Sequence, residues 1–502
     1  MALILNIYIL IYLCISAYIQ IYIGTGFQES VFILVISAVF TFFTIRFFFK
    51  NKVFFNFKIS IFLIVIFFIL WAFSLFPPIY DDEFAYVATL PLLYCRQGIL
   101  SSLENVGFFS YLYQSYESGL TVLECLNLGI NTLRVFNIFI IIAIISIFIE
   151  KNNNKLHASL ILLALPVLFT NGLILKNDIL GAYFILSSCY FLFYKSQRFQ
   201  IIGFASIINL LVLKPILILD AIPILICYYR LNNKITSIKY RQIFIILILI
   251  TFQWILKNFN EFGQPFFPMI NLVGFSLNNE NITIDIYNDY KILIKETYFG
   301  LKNFSFNNGY LLDFIIKISE KFGYLYIIVL LYSLYNYKNT MSQLNIILIV
   351  NIYFFSLWEL RYHMGVALIS FLYINLKEIN KLILALIIIL SGINSFKILN
   401  TMYIQKSIYY YQFGLEAFKI KYMSMNENNK IIDFLNDKAK FQNQVNILAD
   451  NSVFYYLDKN IKYFWFGPIN LNEFNNIEYN SFKALLDSKS INYILYFDDI
   501  IE

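Results

Sequence analysis

The sequence predicts an all-α polytopic membrane protein of about thirteen transmembrane helices with a small C-terminal extracytoplasmic α/β domain, and three observations lead there. Of the 502 residues, 60% are hydrophobic and only 14% charged, against about 25% charged in a soluble domain. Apolar runs of about 20 residues, the length that crosses a bilayer, recur from residue 2 to residue 399. Three stretches are too polar to span: residues 78 to 131, residues 257 to 321, and the tail from about 400. A water-soluble globular protein is excluded.

The spans are centred near residues 12, 40, 67, 140, 164, 186, 206, 222, 249, 329, 351, 369 and 390. The N-terminus has neither the basic leader nor the small-residue cleavage site of a secretory signal, so the first run reads as an uncleaved span. Placing that end in the cytoplasm puts Arg46, Lys50, Lys52, Lys58, Lys151, Lys155, Lys195, Arg198, Arg230, Lys234, Lys239, Arg241, Lys338, Lys377 and Lys381 in inner loops. The opposite short loops offer mainly Lys176, Lys214 and Arg361. The bias orients a multi-pass protein of the plasma (inner) membrane, and an odd span count puts the C-terminus outside. The formal net charge of +6 therefore reports orientation. Nucleic acid is not an expected partner, because the basic residues are dispersed among apolar spans instead of forming one face.

Two units follow: a transmembrane domain over residues 1–400, with external loops 78–131 and 257–321, and an α/β domain over 401–502. In the second, a polar helix at 429–440, strands at 445–449 and 461–465, a helix at 482–489 and a strand at 491–497 alternate as in a parallel sheet. Of the five cysteines, Cys14, Cys189 and Cys227 lie in apolar runs as small hydrophobes. Cys95 and Cys125 share one external segment, where they either pair as a disulfide or stay free. No CxxC spacing supports a zinc or redox site.

Charge is scarce, so the residues that break the pattern outside the membrane are the candidates for chemistry. Asp81, Asp82 and Glu83 follow a span whose preceding twenty residues carry no other charge. Acids there either favour a helix dipole or form a catalytic carboxylate site. Asp178 opens the sixth span on the same side, as a helix N-cap or as a second carboxylate. Converging carboxylates deprotonate a hydroxyl or hold a divalent cation. Lys214 and Arg361, at outer helix ends, are either snorkelling anchors or ligands of an anionic phosphate. Asp220 and Glu359 are near enough in sequence to pair with them, a structural use. His363 reads first as a hydrogen-bonded interfacial residue and second as a base. In the segment 253–275, Trp254 marks a membrane boundary, Lys257 and Asn258 are the first polar groups beyond it, and Gly263, Pro265 and Pro268 turn the chain into a rigid connector.

In this order the landmarks resemble the multispanning GT-C glycosyltransferases, notably the dolichyl-phosphate-mannose-protein mannosyltransferase-like and lipopolysaccharide-core glycosyltransferase-like branch. Asp82, Tyr86, Leu90 and Pro91 match its acidic loop motif, with the last step displaced by a few residues. Asp178 with Ala182, Tyr183 and Phe184 matches its second Asp. Lys214 matches a lysine in a long apolar run. Trp254, Lys257, Asn258, Gly263, Pro265, Phe266, Phe267 and Pro268 match a further motif, with Gln264 for the usual Asn. Arg361 and Tyr362 match an Arg-Tyr pair that opens a late span. Val87 and His363 depart from the pattern, and the tail lacks the Trp-Trp-Asp motif of oligosaccharyltransferases.

The resemblance covers residues 1 to about 400 and implies an enzyme that moves a sugar from a polyprenyl-phosphate-linked donor to a lipid, glycan or protein acceptor, inverting the anomeric centre. Asp82 is then the general base, assisted by Asp81 or Glu83, and Asp178 positions the acceptor or a metal. Glu83, Tyr86, Lys214, Lys257, Asn258, Arg361 and Tyr362 line the substrates, with Lys214 and Arg361 on the donor phosphate. Metal dependence is left open; Asp82 and Asp178 are the ligands, and Mg²⁺ or Mn²⁺ the ions suited to them. Membrane lipids surround the spans. Two other readings share the span pattern. A polysaccharide polymerase or ligase leans on Arg and His in a large external loop, and a lipid-linked sugar transporter or flippase places its ionisable groups near the midplane.

Overall fold

The computed structural model describes residues 1–48, 57–76, 87–97, 115–126, 133–152, 172–196, 199–213, 217–231, 237–262, 324–355, 363–373, 381–422, 426–441, 445–449, 461–465 and 492–495, with a few single positions between them. Among the described residues up to 399, all regular structure is helical. In chain order its helices are α1 (Ala2–Tyr22), α2 (Phe27–Phe48), α3 (Phe57–Phe73), α4 (Thr89–Gln97), α5 (Ser115–Cys125), α6 (Arg134–Asn152), α7 (Asp178–Cys189), α8 (Gln200–Leu213), α9 (Ile218–Leu231), α10 (Ser237–Phe262), α11 (Tyr324–Tyr335), α12 (Thr340–Phe355), α13 (Met364–Tyr373) and α14 (Lys381–Leu399). A helix lies at every expected span centre except residue 164, which falls outside the described residues.

The count of thirteen spans needs correction. Among the described residues, three helical segments are long and apolar enough to cross a membrane: Ala2–Tyr22, Phe27–Phe47 and Arg241–Asn258. Several of the other apolar helices are short. Gln200–Leu213, with 14 residues, reaches only about 21 Å at ~1.5 Å per residue, short of a hydrocarbon core of roughly 30 Å. Phe57–Phe73, Asp178–Tyr194 and Thr340–Val350 are likewise apolar but short. The exposed aromatic face of α2, with Phe32, Phe40, Phe42, Phe43 and Phe47 turned outward, is compatible with a membrane location.

The interior is built on α7, every residue of which is buried. It packs against α6, α8 and α13, while α1 packs against α2, α5, α6 and α10. Polar side chains tie helices together where apolar surface alone gives no driving force in lipid. Ser187 Oγ donates to Asn6 Oδ1 at 2.6 Å and lies 3.0 Å from Ser206 Oγ, joining α7, α1 and α8. Asn345 Nδ2 donates to Ser333 Oγ at 3.3 Å, linking α12 to α11.

The chain ends sort into two groups. At one end of the bundle Glu150 accepts from the Ala2 N–H at 3.2 Å, lies 3.7 Å from the Met1 ammonium, and takes a 2.5 Å ion pair from Lys195. At the other end the start of α6 meets the end of α3 and the approach to α7: Arg134 Nη1 donates to the carbonyls of Ser74 and Phe76, and Asn137 Nδ2 donates to Ile174 O at 2.6 Å.

The expected external loop 78–131 is more than a solvated connector. Its helix α5 is buried from Ser115 to Val122 and lies along α1. Tyr12 Oη donates to Gly119 O at 2.7 Å, Gln20 Nε2 donates to Ser118 O at 2.8 Å, and Tyr116 Oη donates to Asn137 Oδ1 at 2.6 Å. A side chain at Gly119 would meet Phe136 Cζ at 3.0 Å and Leu13 Cδ2 at 3.1 Å, so the helices approach closely here. Cys95 and Cys125 form a disulfide between α4 and α5, with Cα atoms 5.3 Å apart. Tyr94 donates to the Gln20 carbonyl, and burial pushes its phenol pKa upward.

Beyond residue 399 the helical path continues through a π-helical turn, Asn400–Ile404, into α15 (Gln405–Tyr422). Ser407 Oγ donates to Phe73 O at 2.7 Å, and Tyr403 and Phe418 each place their rings 5.9 Å from Phe76. This stretch thus packs on the end of α3 and on Phe76 just beyond it. Gly414, at φ 79°, kinks α15. Helix α16 (Asn426–Phe441) leads to strands β1 (Val445–Ala449), β2 (Ile461–Trp465) and β3 (Tyr493–Leu495), a parallel sheet in the order β2-β1-β3. The register pairs Val445 with Ile461 and Ile447 with Tyr493. A complete α/β domain is not defined by these residues, because the expected helix at 482–489 lies almost wholly outside them.

Candidate functional site

The N-terminal end of α7 organises the site. Asp178 is the first residue of that helix and is buried at 2% exposure. The expectation that it caps the helix is corrected: the N-cap position belongs to Asn177, whose carbonyl accepts the Gly181 N–H at 3.0 Å. Asp178 is a first-turn acid, one position further in, where a carboxylate still opposes the positive end of the helix dipole.

One turn on, α7 is approached closely from two sides. A Cβ on Gly181 would lie 2.3 Å from Leu217 Cδ1 and 3.7 Å from Leu213 Cδ2. These leucines end α8 and lead into α9, and they bracket Lys214 in the chain. A Cβ on Gly365, near the start of α13, would lie 2.7 Å from Ile185 Cβ and 3.1 Å from Ala182 Cα. The starts of α7, α9 and α13 therefore meet at one end of the bundle.

Between two of these starts lies a buried pair that the sequence reading left unjoined. Asp220, in the first turn of α9 and fully buried, holds His363 at the entry to α13, 3% exposed. His363 Nδ1 lies 2.8 Å from Asp220 Oδ2 and 3.0 Å from Oδ1. An ionised carboxylate only accepts, so Nδ1 carries the hydrogen and the tautomer is fixed by the partner. Asp220 had been set beside Lys214 by nearness in sequence; a described partner, His363, stands 143 residues away.

Lys257 and Asn258 sit inside α10, which runs on to Phe262. They were expected as the first polar groups beyond a span. Lys257 is instead buried at 2% exposure, and Asn258 is half-buried. Trp254, assigned to a membrane boundary, is buried too. Helix α10 packs on α8, which also packs on α7, so Lys257 and Asp178 belong to helices sharing one neighbour.

Asp81, Asp82, Glu83, Tyr86, Lys214, Arg361 and Tyr362 lie outside the described residues, as do Gly263, Pro265 and Pro268. Arg134, overlooked in the sequence, is buried and holds the carbonyls of Ser74 and Phe76, just before the acidic segment in the chain. Its signal was present: an arginine directly before the apolar run of α6, at an end otherwise poor in cations. Among the described residues no three His, Cys, Asp or Glu side chains gather as a metal site.

Comparison with protein-family models, with curated proteins and with solved structures finds no match.

Proposed function

We propose that the protein is an integral membrane glycosyltransferase of the GT-C type, moving a sugar from a polyprenyl-phosphate-linked donor to a lipid, glycan or protein acceptor of the cell envelope, with inversion. The observation that carries this reading is the meeting of the α7, α9 and α13 starts, with Asp178 and the Asp220–His363 pair, at one end of an apolar bundle. A lipid-linked donor needs a greasy path ending at polar groups. A buried carboxylate at the end of apolar helices supplies that change of polarity.

In this reading the apolar helices cross the plasma membrane, with the N-terminus cytoplasmic and the site and the α/β tail extracytoplasmic. The grouping of Met1, Glu150 and Lys195 at the opposite end from Arg134 and Ile174 supports that sidedness. Asp82 takes the proton of the acceptor hydroxyl while the acceptor oxygen attacks the anomeric carbon and the bond to phosphate breaks. Lys214 and Arg361 bear the charge that develops on the departing polyprenyl phosphate. Asp178 orients the acceptor. One displacement inverts the centre, and no enzyme nucleophile is required.

The test is transfer by purified protein in lipid nanodiscs, using polyprenyl-phosphate-linked sugars and envelope glycolipid acceptors. Asp178→Asn should lower turnover by about 100-fold, the scale of a lost substrate-positioning contact, with the protein still inserted and folded. Sugar-dependent movement of lipid without any new glycosidic bond would favour the flippase reading instead.

A further inference from the structure

We infer that α15, up to its kink at Gly414, is an interfacial anchor whose exposed residues Ile408, Tyr411 and Phe413 lie among the lipid headgroups at the outer end of the bundle. This rests on the reading that the apolar helices cross the membrane.

Two neighbours set the level. Helix α3 turns Ile61, Ile64, Phe68 and Ile69 outward, as an apolar helix does when lipid surrounds it. The carbonyl of its last residue, Phe73, accepts from Ser407 Oγ at 2.7 Å. Ser407 thus sits where α3 ends. Lys397, exposed in the last turn of α14, marks the lower bound, because a lysine facing the middle of the acyl layer is costly. The helical path from Lys397 to Phe413 therefore runs along the polar layer between acyl chains and water.

The outward face is continuous. From α14 through the π-helical turn into α15, exposed positions recur three to five residues apart at Ile393, Phe396, Thr401, Gln405, Ile408 and Tyr411, so they share one side of the path. Ile408, Tyr411 and Phe413 are 50%, 61% and 59% exposed. Composition changes along this side, from aliphatic on α14 to aromatic on α15. Rings with a polar edge concentrate at bilayer–water boundaries, where the carbon body meets acyl chains and the hydroxyl meets water.

Cations accompany the rings. The kink at Gly414 folds the second half of α15 back, so that Tyr409 meets Tyr422 and Tyr410 meets Phe418. Lys421 Nζ then lies 4.0 Å from the Tyr409 ring centroid, and Lys406 Nζ lies 5.7 Å from that of Tyr422. Ammonium groups on long apolar stems at this level match the charge of lipid phosphates.

The experiment attaches a nitroxide to Ile408→Cys, Tyr411→Cys or Phe413→Cys in the full-length protein in phospholipid nanodiscs. Cys14, Cys189 and Cys227 are replaced by Ser and the Cys95–Cys125 disulfide is kept. Phe42→Cys on the exposed face of α2 is the acyl reference, and Asp437→Cys on exposed α16 the aqueous one. Electron paramagnetic resonance reads collisions with oxygen, which concentrates in lipid, against collisions with a water-soluble nickel chelate. The oxygen-to-nickel ratio should fall between the two references at two or more of the three sites. A ratio equal to the Asp437 value at two or more sites would place the face in water and overturn the inference. Strong spin–spin broadening between protomers would assign the face to a second copy and overturn it as well. If the labelled variants do not fold, the native protein decides: a phospholipid with a diazirine near its glycerol should label the tryptic segment 407–419, and an unlabelled segment contradicts the anchor. A Phe42 label as open to nickel as Asp437 would overturn the membrane reading itself, an outcome distinct from any result on α15.

Discussion

Arg134 stacks its guanidinium 4.1 Å above the ring centroid of Phe76 and donates to the Phe76 carbonyl from the same side chain. The contact ties the first residue of α6 to the last described residue before Pro77. From that point the chain runs into Asp81, Asp82 and Glu83. Phe76 is held on its other flank by Tyr403 and Phe418, so the origin of the acidic segment is gripped by a cation and two rings.

Arg134→Met should keep much of the packing but lose the carbonyl bonds and the cation–π contact, lowering thermal stability by about 2 kcal/mol. Arg134→Lys should recover only part of it, because a point charge does not reproduce the planar fork over a ring. Thermal melts of the two variants in one detergent check the order; equal stability of Met and wild type would contradict it.

Gly365 touches the backbone of α7 through Ala182 Cα and has Ile185 Cβ beside it. Neither neighbour is a flexible side-chain tip, so Gly365→Ala should push α13 off α7 and cost about 1–3 kcal/mol. Gly181→Ala should cost less, because its nearest neighbour is the Leu217 Cδ1 methyl, which is free to change rotamer. The ranking is read from melting temperatures, and the reverse order would show that these contacts do not hold the helix starts together.

The Cys95–Cys125 disulfide closes a separation of 30 residues and leaves Cys14, Cys189 and Cys227 as free thiols. Alkylation of denatured, unreduced protein followed by mass spectrometry should therefore modify three cysteines, and five after reduction. Replacing the pair by Ala should destabilise by about 3 kcal/mol, the loop-entropy scale for such a closure. Five modified cysteines before reduction would contradict the bridge.

The sequence made some of this legible for physical reasons. Apolar runs near residues 12, 40 and 249 read as helices because a bilayer-length segment must satisfy its own backbone, and α1, α2 and α10 lie there. Helix α5 was not legible. Its SYESGLTVLEC composition reads as an external connector, and its burial depends on Tyr12, Gln20 and Asn137, which lie on other helices. The same holds for the stretch past residue 400, where Ser407 finds Phe73 across 334 residues. Asp178 stood out as an isolated acid. The partnership of Asp220 with His363 did not, because local spacing points to Lys214 and the two members of the pair stand 143 residues apart.

The proposed sugar transfer from a polyprenyl phosphate is checked by incubating wild-type and Asp82→Asn protein in nanodiscs with polyprenyl-phosphate-linked sugars and an envelope glycan acceptor, then reading the product by mass spectrometry. Wild type should form a new glycosidic linkage of inverted configuration, and Asp82→Asn should lose at least about 100-fold at unchanged insertion and folding. Equal transfer by the two proteins would contradict it.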